Sequence, residues 1–393
     1  MFRRVGKRWD DGREAVGIRM LERDVEACPP ERNEAWPMIP RLVESLCADA
    51  LDGVSPSAEQ VADLLQLDGP EIAEPLFAAA RELRRRYFGE SVFLYGFIYY
   101  STFCRNSCSF CFFRAANSVS PRYRKDPDEV VEVSRALAES GVNLLDLTLG
   151  EDPLLFDVGD FSPLTELVTR VRQATRLPIM VSPGVVPREV LGGLRAAGAD
   201  FYAVYQETQT RELFARLRLH QNFDRRLRAR RDAHEEGLLV EDGMLCGVGD
   251  DAADRARSLL AMQAAGEHQV RAMTLVPQVQ TPLANAPLHS SWHELLAIAV
   301  MRLLMPDRFI PASLDVDGIE GLLSRLDAGA NVVTSLVPPK TGLCGVANAA
   351  YEVDDGLRTA EEVRSRLAQV GLRQGTQTEF EAKLDGFRSE RDS

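Results

Sequence analysis

The chain has no apolar run approaching the roughly 18 residues that a membrane-crossing helix needs, so no membrane span is expected. Met1 to Asp10 is basic, but no apolar core or small-residue cleavage site follows it, and a secretory leader is therefore not expected. Positive charge is also short. Lysines and arginines number 46 against 59 aspartates and glutamates, a net charge of −13. Such a surface repels phosphate backbones and anionic headgroups, so neither nucleic acid nor membrane is an expected partner. The basic runs Arg84 to Arg86 and Arg225 to Arg231 are read mainly as solvated helix faces. Internal repeats and low-complexity tracts are absent. Seven cysteines, an odd number, argue against a disulfide framework and for a reducing, cytoplasmic setting. What remains is an ordinary globular composition, 45% hydrophobic and 27% charged, in 393 residues that can bury a substantial core.

The pattern along the chain divides into four parts. Residues 1–37 are polar and irregular, including Cys28-Pro29-Pro30, and are expected to form a loosely docked extension. Residues 38–89 form a small helical preface, with Ser57 and Gln60 as a capping box and Pro70 opening a helix. From 90 to 360, eight short apolar runs alternate with amphipathic stretches. The runs are 92–100, 144–149, 178–182, 201–206, 238–245, 270–276, 309–314 and 331–337, and one helix is expected across 210–237. A strand followed by a helix, eight times over roughly 250 residues, predicts an α/β fold: a closed (βα)8 TIM-type barrel. An open doubly wound sheet is the alternative. Residues 361–393 complete a helix ending near Gly371, and the charged tail beyond is expected to fray.

Four cysteines, Cys28, Cys47, Cys246 and Cys344, are scattered and read as small buried hydrophobes. The other three are grouped. Cys104, Cys108 and Cys111 follow the first candidate strand in Cys-Arg-Asn-Ser-Cys-Ser-Phe-Cys. Thiolates are soft ligands for zinc or iron–sulfur clusters, but structural zinc wants a second pair of ligands and no second knuckle exists. Three cysteines on a [4Fe–4S] cluster leave one iron open. The spacing of three and then two residues, with an aromatic before the last cysteine, resembles the radical S-adenosylmethionine superfamily. That resemblance implies an open iron that chelates the methionine part of S-adenosylmethionine, and one-electron cleavage to a 5′-deoxyadenosyl radical. It also places the cysteine loop at the catalytic C-terminal face of a barrel.

Longer runs are more specific. Phe93 to Thr102, Leu145 to Pro153, Ile179 to Pro187, Tyr202 to Thr208, Ile310 to Ile319 and Gly329 to Ser335 resemble the methylornithine synthase family, within the subgroup that contains biotin synthase and a hydrogenase maturase. This resemblance spans most of residues 90 to 360. It implies isomerisation of L-lysine to (3R)-3-methyl-D-ornithine, by hydrogen removal, Cα–Cβ fragmentation to a glycyl radical and an aminobutene, and recombination. It further implies a one-electron donor such as flavodoxin or ferredoxin. By the same resemblance, Glu151, in a motif whose first glycine is replaced by Leu149, serves the cofactor together with Ser182, Glu207 and Arg226.

Asp146 and Arg271 each interrupt an otherwise apolar strand, and Ser313 and Asp315 share one side of theirs by period-two alternation. If that side faces the lumen, the four line one cavity, and they look like product-contacting positions of the methylornithine synthase pattern. In this scheme Asp146 and Asp315 hold the two ammoniums of lysine, Arg271 its carboxylate, and Ser313 adds a hydrogen bond. The competing readings are mutual salt bridging within the barrel, a Cα–Cβ lyase or a mutase acting on another diamino acid, and a metal-stabilised scaffold or electron carrier without substrate chemistry.

Overall fold

In this computed structural model the residues described are 38–345 and 357–391. The expected extension at 1–37, and Cys28 with it, lies outside them. Eight parallel strands make the barrel: β1 (Ser91–Ser101), β2 (Leu144–Leu149), β3 (Ile179–Ser182), β4 (Phe201–Ala203), β5 (Leu239–Cys246), β6 (Gln269–Thr274), β7 (Pro311–Ser313) and β8 (Val332–Leu336). Neighbours run in the order β6-β5-β4-β3-β2-β1-β8-β7. The two ends meet at a single parallel bridge between Gln269 and Phe309. Val270 N donates to Phe309 O at 3.0 Å, and Phe309 N to His268 O at 3.1 Å. The barrel is nearly closed, as the α/β alternation predicts.

Every residue of β1 is buried, as expected for a strand covered on one face by helices and on the other by the lumen. Helix ends follow the sequence signals: Gly198 (φ 106°) and Gly266 (φ 67°) take left-handed caps that a side chain would strain. Ahead of the barrel stand α1 (Met38–Leu51), α2 (Ala58–Leu64) and α3 (Pro70–Phe88). The Ser57/Gln60 capping box forms, and Pro70 opens α3. Phe77 of α3 packs edge-on against Trp292, ring centroids 5.7 Å apart. The preface buttresses the outside of the barrel and carries no site residue.

Two expectations are corrected. Residues 210–237 form two helices, Arg211–Leu217 and Phe223–Glu235, rather than one. Asn222 Oδ1 caps the second by accepting from Arg225 N at 2.8 Å, and His220 is left-handed (φ 63°). Through Arg391 the tail forms regular structure rather than fraying. Arg373–Gln374 forms a short strand, β9, beside β1, and Gln377–Arg391 is a helix across the N-terminal mouth of the barrel. Its Phe380, Leu384 and Phe387 recur at helical spacing and enter a cluster with Phe88, Phe93, Tyr95 and Phe309. Phe380 stacks on Phe309 at 5.4 Å. The charge of the tail hides this apolar stripe, which closes the floor of the lumen. Among the described residues no helix is long and apolar enough to cross a membrane.

Candidate active site

The lumen is layered. Phe93, Leu144, Phe201, Leu239, Phe309 and Val332 make an apolar floor over the C-terminal helix. Two residues further along each strand, the alternation brings Asp146, Glu241 and Arg271 inward. Above them the loops at the strand C-termini enclose a cavity lined by all three thiols of the cysteine loop and by Asp146, Arg271, Glu151, Ser182, Glu207 and Arg226. Phe97, Tyr99, Phe113 and Met273 supply apolar wall.

The cysteine loop is held from two sides. Arg105 N donates to Glu151 O at 2.9 Å, and a Cβ added to Gly150 would lie 2.7 Å from Cys104 Cβ. On the other side, Gln221 Nε2 lies 3.0 Å and Arg218 Nη1 3.6 Å from Cys108 Sγ. Both donors come from the break between the two helices after β4, which the sequence reading missed. Burial pushes the Cys104 thiol up to about 11, and raises Cys111 too, with the neighbouring Cys108 and Cys104 adding to the effect. Without a metal these two sulfurs are held as thiols; ligation would release their protons. Among the described residues no three His, Cys, Asp or Glu are gathered as a ready-made ligand set. The donor chemistry nonetheless fits a three-thiolate cluster: soft sulfurs facing one cavity, with N–H donors directed at Cys108 and no histidine or fourth cysteine lining it.

Each expected cofactor residue has a defined place. Glu151 accepts from Val185 N at 3.1 Å and from Arg105 Nε at 3.0 Å. Gly184 (φ 85°) lets the backbone pass so closely that an added Cβ would lie 2.9 Å from Glu151 Oε1. Ser182 Oγ points instead toward Asp146 Oδ1, at 3.5 Å. Glu207 is left-handed (φ 69°), a strained backbone for a residue with a side chain. It pairs with Arg218 at 2.5 Å, while burial holds its carboxyl above the usual range. Arg226 Nε donates to Tyr205 O at 2.5 Å, and burial, with Arg218 nearby, brings it down to about 10.

In the ring below, Asp146 accepts from Thr148 Oγ1 at 2.9 Å. Burial, and then the negative Glu241, push its carboxyl up to about 7. Arg271 Nε donates to Glu241 Oε1 at 2.7 Å and Nη1 to Thr334 Oγ1 at 3.2 Å. Its buried Nη2 has no hydrogen-bond partner. Glu241 was not singled out in the sequence, because Glu241 and Asp242 are adjacent and the strand pattern does not say which faces in. The structure does: Asp242 pairs outward with Arg230 at 2.9 Å.

Ser313 and Asp315 stand apart from the cavity lining. Asp315 accepts from Ser335 Oγ at 2.5 Å and from Arg358 Nη1 at 2.7 Å, and Ser313 Oγ is 3.5 Å from the same carboxylate. Ser335, which does line the cavity, separates this pair from it. No strand or helix period links Arg358 to Asp315 across 43 residues. The scattered Cys344 is buried, and its backbone N donates to Tyr123 OH at 3.0 Å.

Comparison with known proteins agrees with this geometry. The family model described as the radical SAM superfamily matches residues 98–261. The 3-methylornithine synthase of Methanosarcina barkeri is 42% identical over 341 residues, covering 87% of this chain and 97% of that protein. The [FeFe] hydrogenase maturase subunit HydE of Thermotoga maritima is 31% identical over 279 residues, 70% of this chain and 78% of its own. A crystal structure of methylornithine synthase superposes with a TM-score of 0.82 at 42% identity, covering 86% of this chain and 99% of that one. Membership of the radical SAM superfamily implies the cofactor pair, a [4Fe–4S] cluster and S-adenosylmethionine. With the barrel, the cysteine loop at its C-terminal mouth and similarity over nearly the full length of the methylornithine synthases, the chain belongs to the methylornithine synthase family of the radical S-adenosylmethionine superfamily.

Proposed function

We propose that the protein isomerises L-lysine to (3R)-3-methyl-D-ornithine, with Cys104, Cys108 and Cys111 ligating the cluster. Glu151, Ser182, Glu207 and Arg226 surround S-adenosylmethionine in this reading. The observation that carries it is one cavity holding three thiols at its mouth and, beneath them, a buried acid and a guanidinium with an unpartnered Nη2. When bound, the cofactor pair supplies one-electron chemistry able to take a hydrogen atom from an unactivated carbon and return it.

The chain's own work is to hold, orient and keep dry. Lysine loses hydrogen from its side chain, and its Cα–Cβ bond opens to a glycyl radical and an aminobutene, which rejoin at the neighbouring carbon. Each fragment keeps an anchor: Arg271 Nη2 donates to the carboxylate of the glycyl part, and Asp146 accepts from the side-chain ammonium, which stays on the aminobutene part. Two anchored fragments cannot drift apart before they rejoin. The aromatic wall and the Phe380 floor exclude water. Ser313 and Asp315 contribute through Ser335 and Arg358, as the layer behind the site. No general base is needed.

The electron donor in this reading is an acidic one-electron carrier such as a flavodoxin or ferredoxin. A second opening beside the cysteine loop is rimmed by Arg105, His220, Arg225 and Arg226, a basic edge on an acidic protein. A reducing cytoplasm suits thiols that must stay free for a cluster.

The test is anaerobic incubation of the reconstituted enzyme with S-adenosylmethionine, a reductant and a panel of diamino acids, read by mass spectrometry. A branched isomer formed from lysine supports the assignment. Release of glycine without the isomer would make the enzyme a lyase, and an inert lysine would remove the substrate.

A further inference from the structure

Beneath the cavity, Glu241 on β5 is wholly buried and does not itself line the cavity. We infer that Glu241 is a positioning residue for the substrate's carboxylate: it holds Arg271, which lines the cavity, on its own side of the barrel with Nη2 left unpartnered. This rests on the reading of Arg271 and Asp146 as the substrate-facing pair.

The hydrogen bonds show how. A carboxylate left to itself takes a guanidinium in a two-pronged grip that occupies two of its nitrogens. Here Glu241 spends only Oε1 on Arg271, at Nε and 2.7 Å. Its Oε2 is diverted to Tyr205 OH at 3.1 Å. Tyr205 can lie there because residue 243 is glycine; a Cβ would come within 2.9 Å of the ring. Thr334 Oγ1 accepts from Nη1 at 3.2 Å. With Nε and Nη1 both held, the plane of the guanidinium is fixed, and Nη2 remains without a partner.

The charge of Glu241 matters as much as its oxygens. The ionisable groups influencing Arg271 are Glu241 from its own side, Asp146 across the lumen on β2, and Tyr205. Tyr95 on β1 feels Glu241, Arg271 and Asp146. Remove the Glu241 charge, and Asp146 becomes the only carboxylate in this ring able to compensate a buried guanidinium. Arg271 then gains by crossing to Asp146, and the two ends of the substrate site cancel each other. A buried ion pair is a costly way merely to fill a core. Holding two opposite recognition groups apart in a dry lumen gives this one a function.

The test is Glu241→Gln, which keeps the shape and one acceptor but removes the charge, assayed as loaded enzyme. Lysine is compared with lysinamide, whose neutral amide cannot pair with Arg271. The expected result is a KM for lysine raised about tenfold or more, with lysine's preference over lysinamide largely lost. Cleavage of S-adenosylmethionine without lysine should continue at the wild-type rate. An unchanged KM and an unchanged preference would overturn the inference. Should Glu241→Gln fail to fold, Tyr205→Phe frees Oε2 to capture Nη2 and is expected to raise KM in the same direction; no change there would also overturn it. Wild-type enzyme that turned over no lysine at all would sink the functional reading itself, and this inference with it.

Discussion

Asp146→Asn should make the protein more stable and useless, and the stability gain should depend on pH. In the fold the Asp146 carboxyl titrates at about 7, against an ordinary 3.8, because it is buried and faces Glu241. Between those two values the folded protein keeps a proton that the unfolded chain has released. Stability therefore falls as pH rises through that window. At about 1.36 kcal/mol per pH unit the deficit reaches about 4 kcal/mol above pH 7, and only about 2 kcal/mol at pH 5.5. An asparagine keeps the acceptor for Thr148 and Ser182 but has no charge to bury.

Urea denaturation followed by circular dichroism would measure this. The variant should exceed wild type by up to about 4 kcal/mol at pH 8, and the gap should shrink by about 2 kcal/mol at pH 5.5. A gap that did not change with pH would refute the reasoning, since it would mean that Asp146 carries no shifted proton. The same titration governs binding. An ammonium needs the ionised carboxylate, so at pH 6 the KM of wild-type enzyme for lysine should stand about tenfold above its value at pH 8. The variant should bind S-adenosylmethionine normally and form no methylornithine.

Replacing Cys104, Cys108 or Cys111 with Ala should abolish cluster iron after reconstitution, while Cys246→Ala and Cys344→Ala should leave it intact; iron and sulfide analysis reads both. Gly184→Ala forces a side chain into a left-handed backbone (φ 85°) and against Glu151. It should cost about 1–2 kcal/mol of stability and weaken S-adenosylmethionine binding in equilibrium dialysis, and wild-type affinity would remove the Glu151 cradle from the cofactor site. Phe380→Ala opens the barrel floor and should cost about 3–5 kcal/mol in denaturation; a loss under about 1 kcal/mol would mean that the C-terminal helix does not close the lumen.

The eight strands were legible because each is a short apolar run bounded by helical pattern, and a βα repeat restricts topology severely. The cysteine loop was legible because its ligands are local in sequence. Asp146 and Arg271 were legible as polar residues inside apolar strands. The rest depends on contacts that no period encodes. Arg218 and Gln221 reach Cys108 only because the helix after β4 breaks, and the run Arg-Leu-His-Gln-Asn contains no proline or glycine to announce it. The cap at Asn222 was the available signal. Glu241 hid beside Asp242, and the amphipathic stripe of the last helix hid among its charges. The Asp315–Arg358 pair joins residues that come together only when the chain returns across the barrel.

That pair changes the charge arithmetic of the site. Lysine brings one carboxylate and two ammoniums, a net charge of one positive, and the sequence suggested two free aspartates and one arginine to meet it. In the folded lumen Asp315 is already neutralised by Arg358, Arg271 by Glu241, and Glu207 by Arg218. Each of these pairs is buried, so none can give up a partner without stranding a charge. Asp146 alone among these acids has hydroxyl partners and no cation. The ring of Asp146, Glu241 and Arg271 thus carries one uncompensated negative charge, equal and opposite to the net charge of lysine. A neutral amino acid would leave Asp146 without a cation, so selection for a second amine follows from the balance of this ring. In the proposed site the carboxylate would meet a guanidinium that is electrically satisfied by Glu241 but has an unpartnered Nη2, which supplies direction without adding charge. In the proposed fragmentation and recombination, that separation would let charge select the substrate and hydrogen bonds orient it.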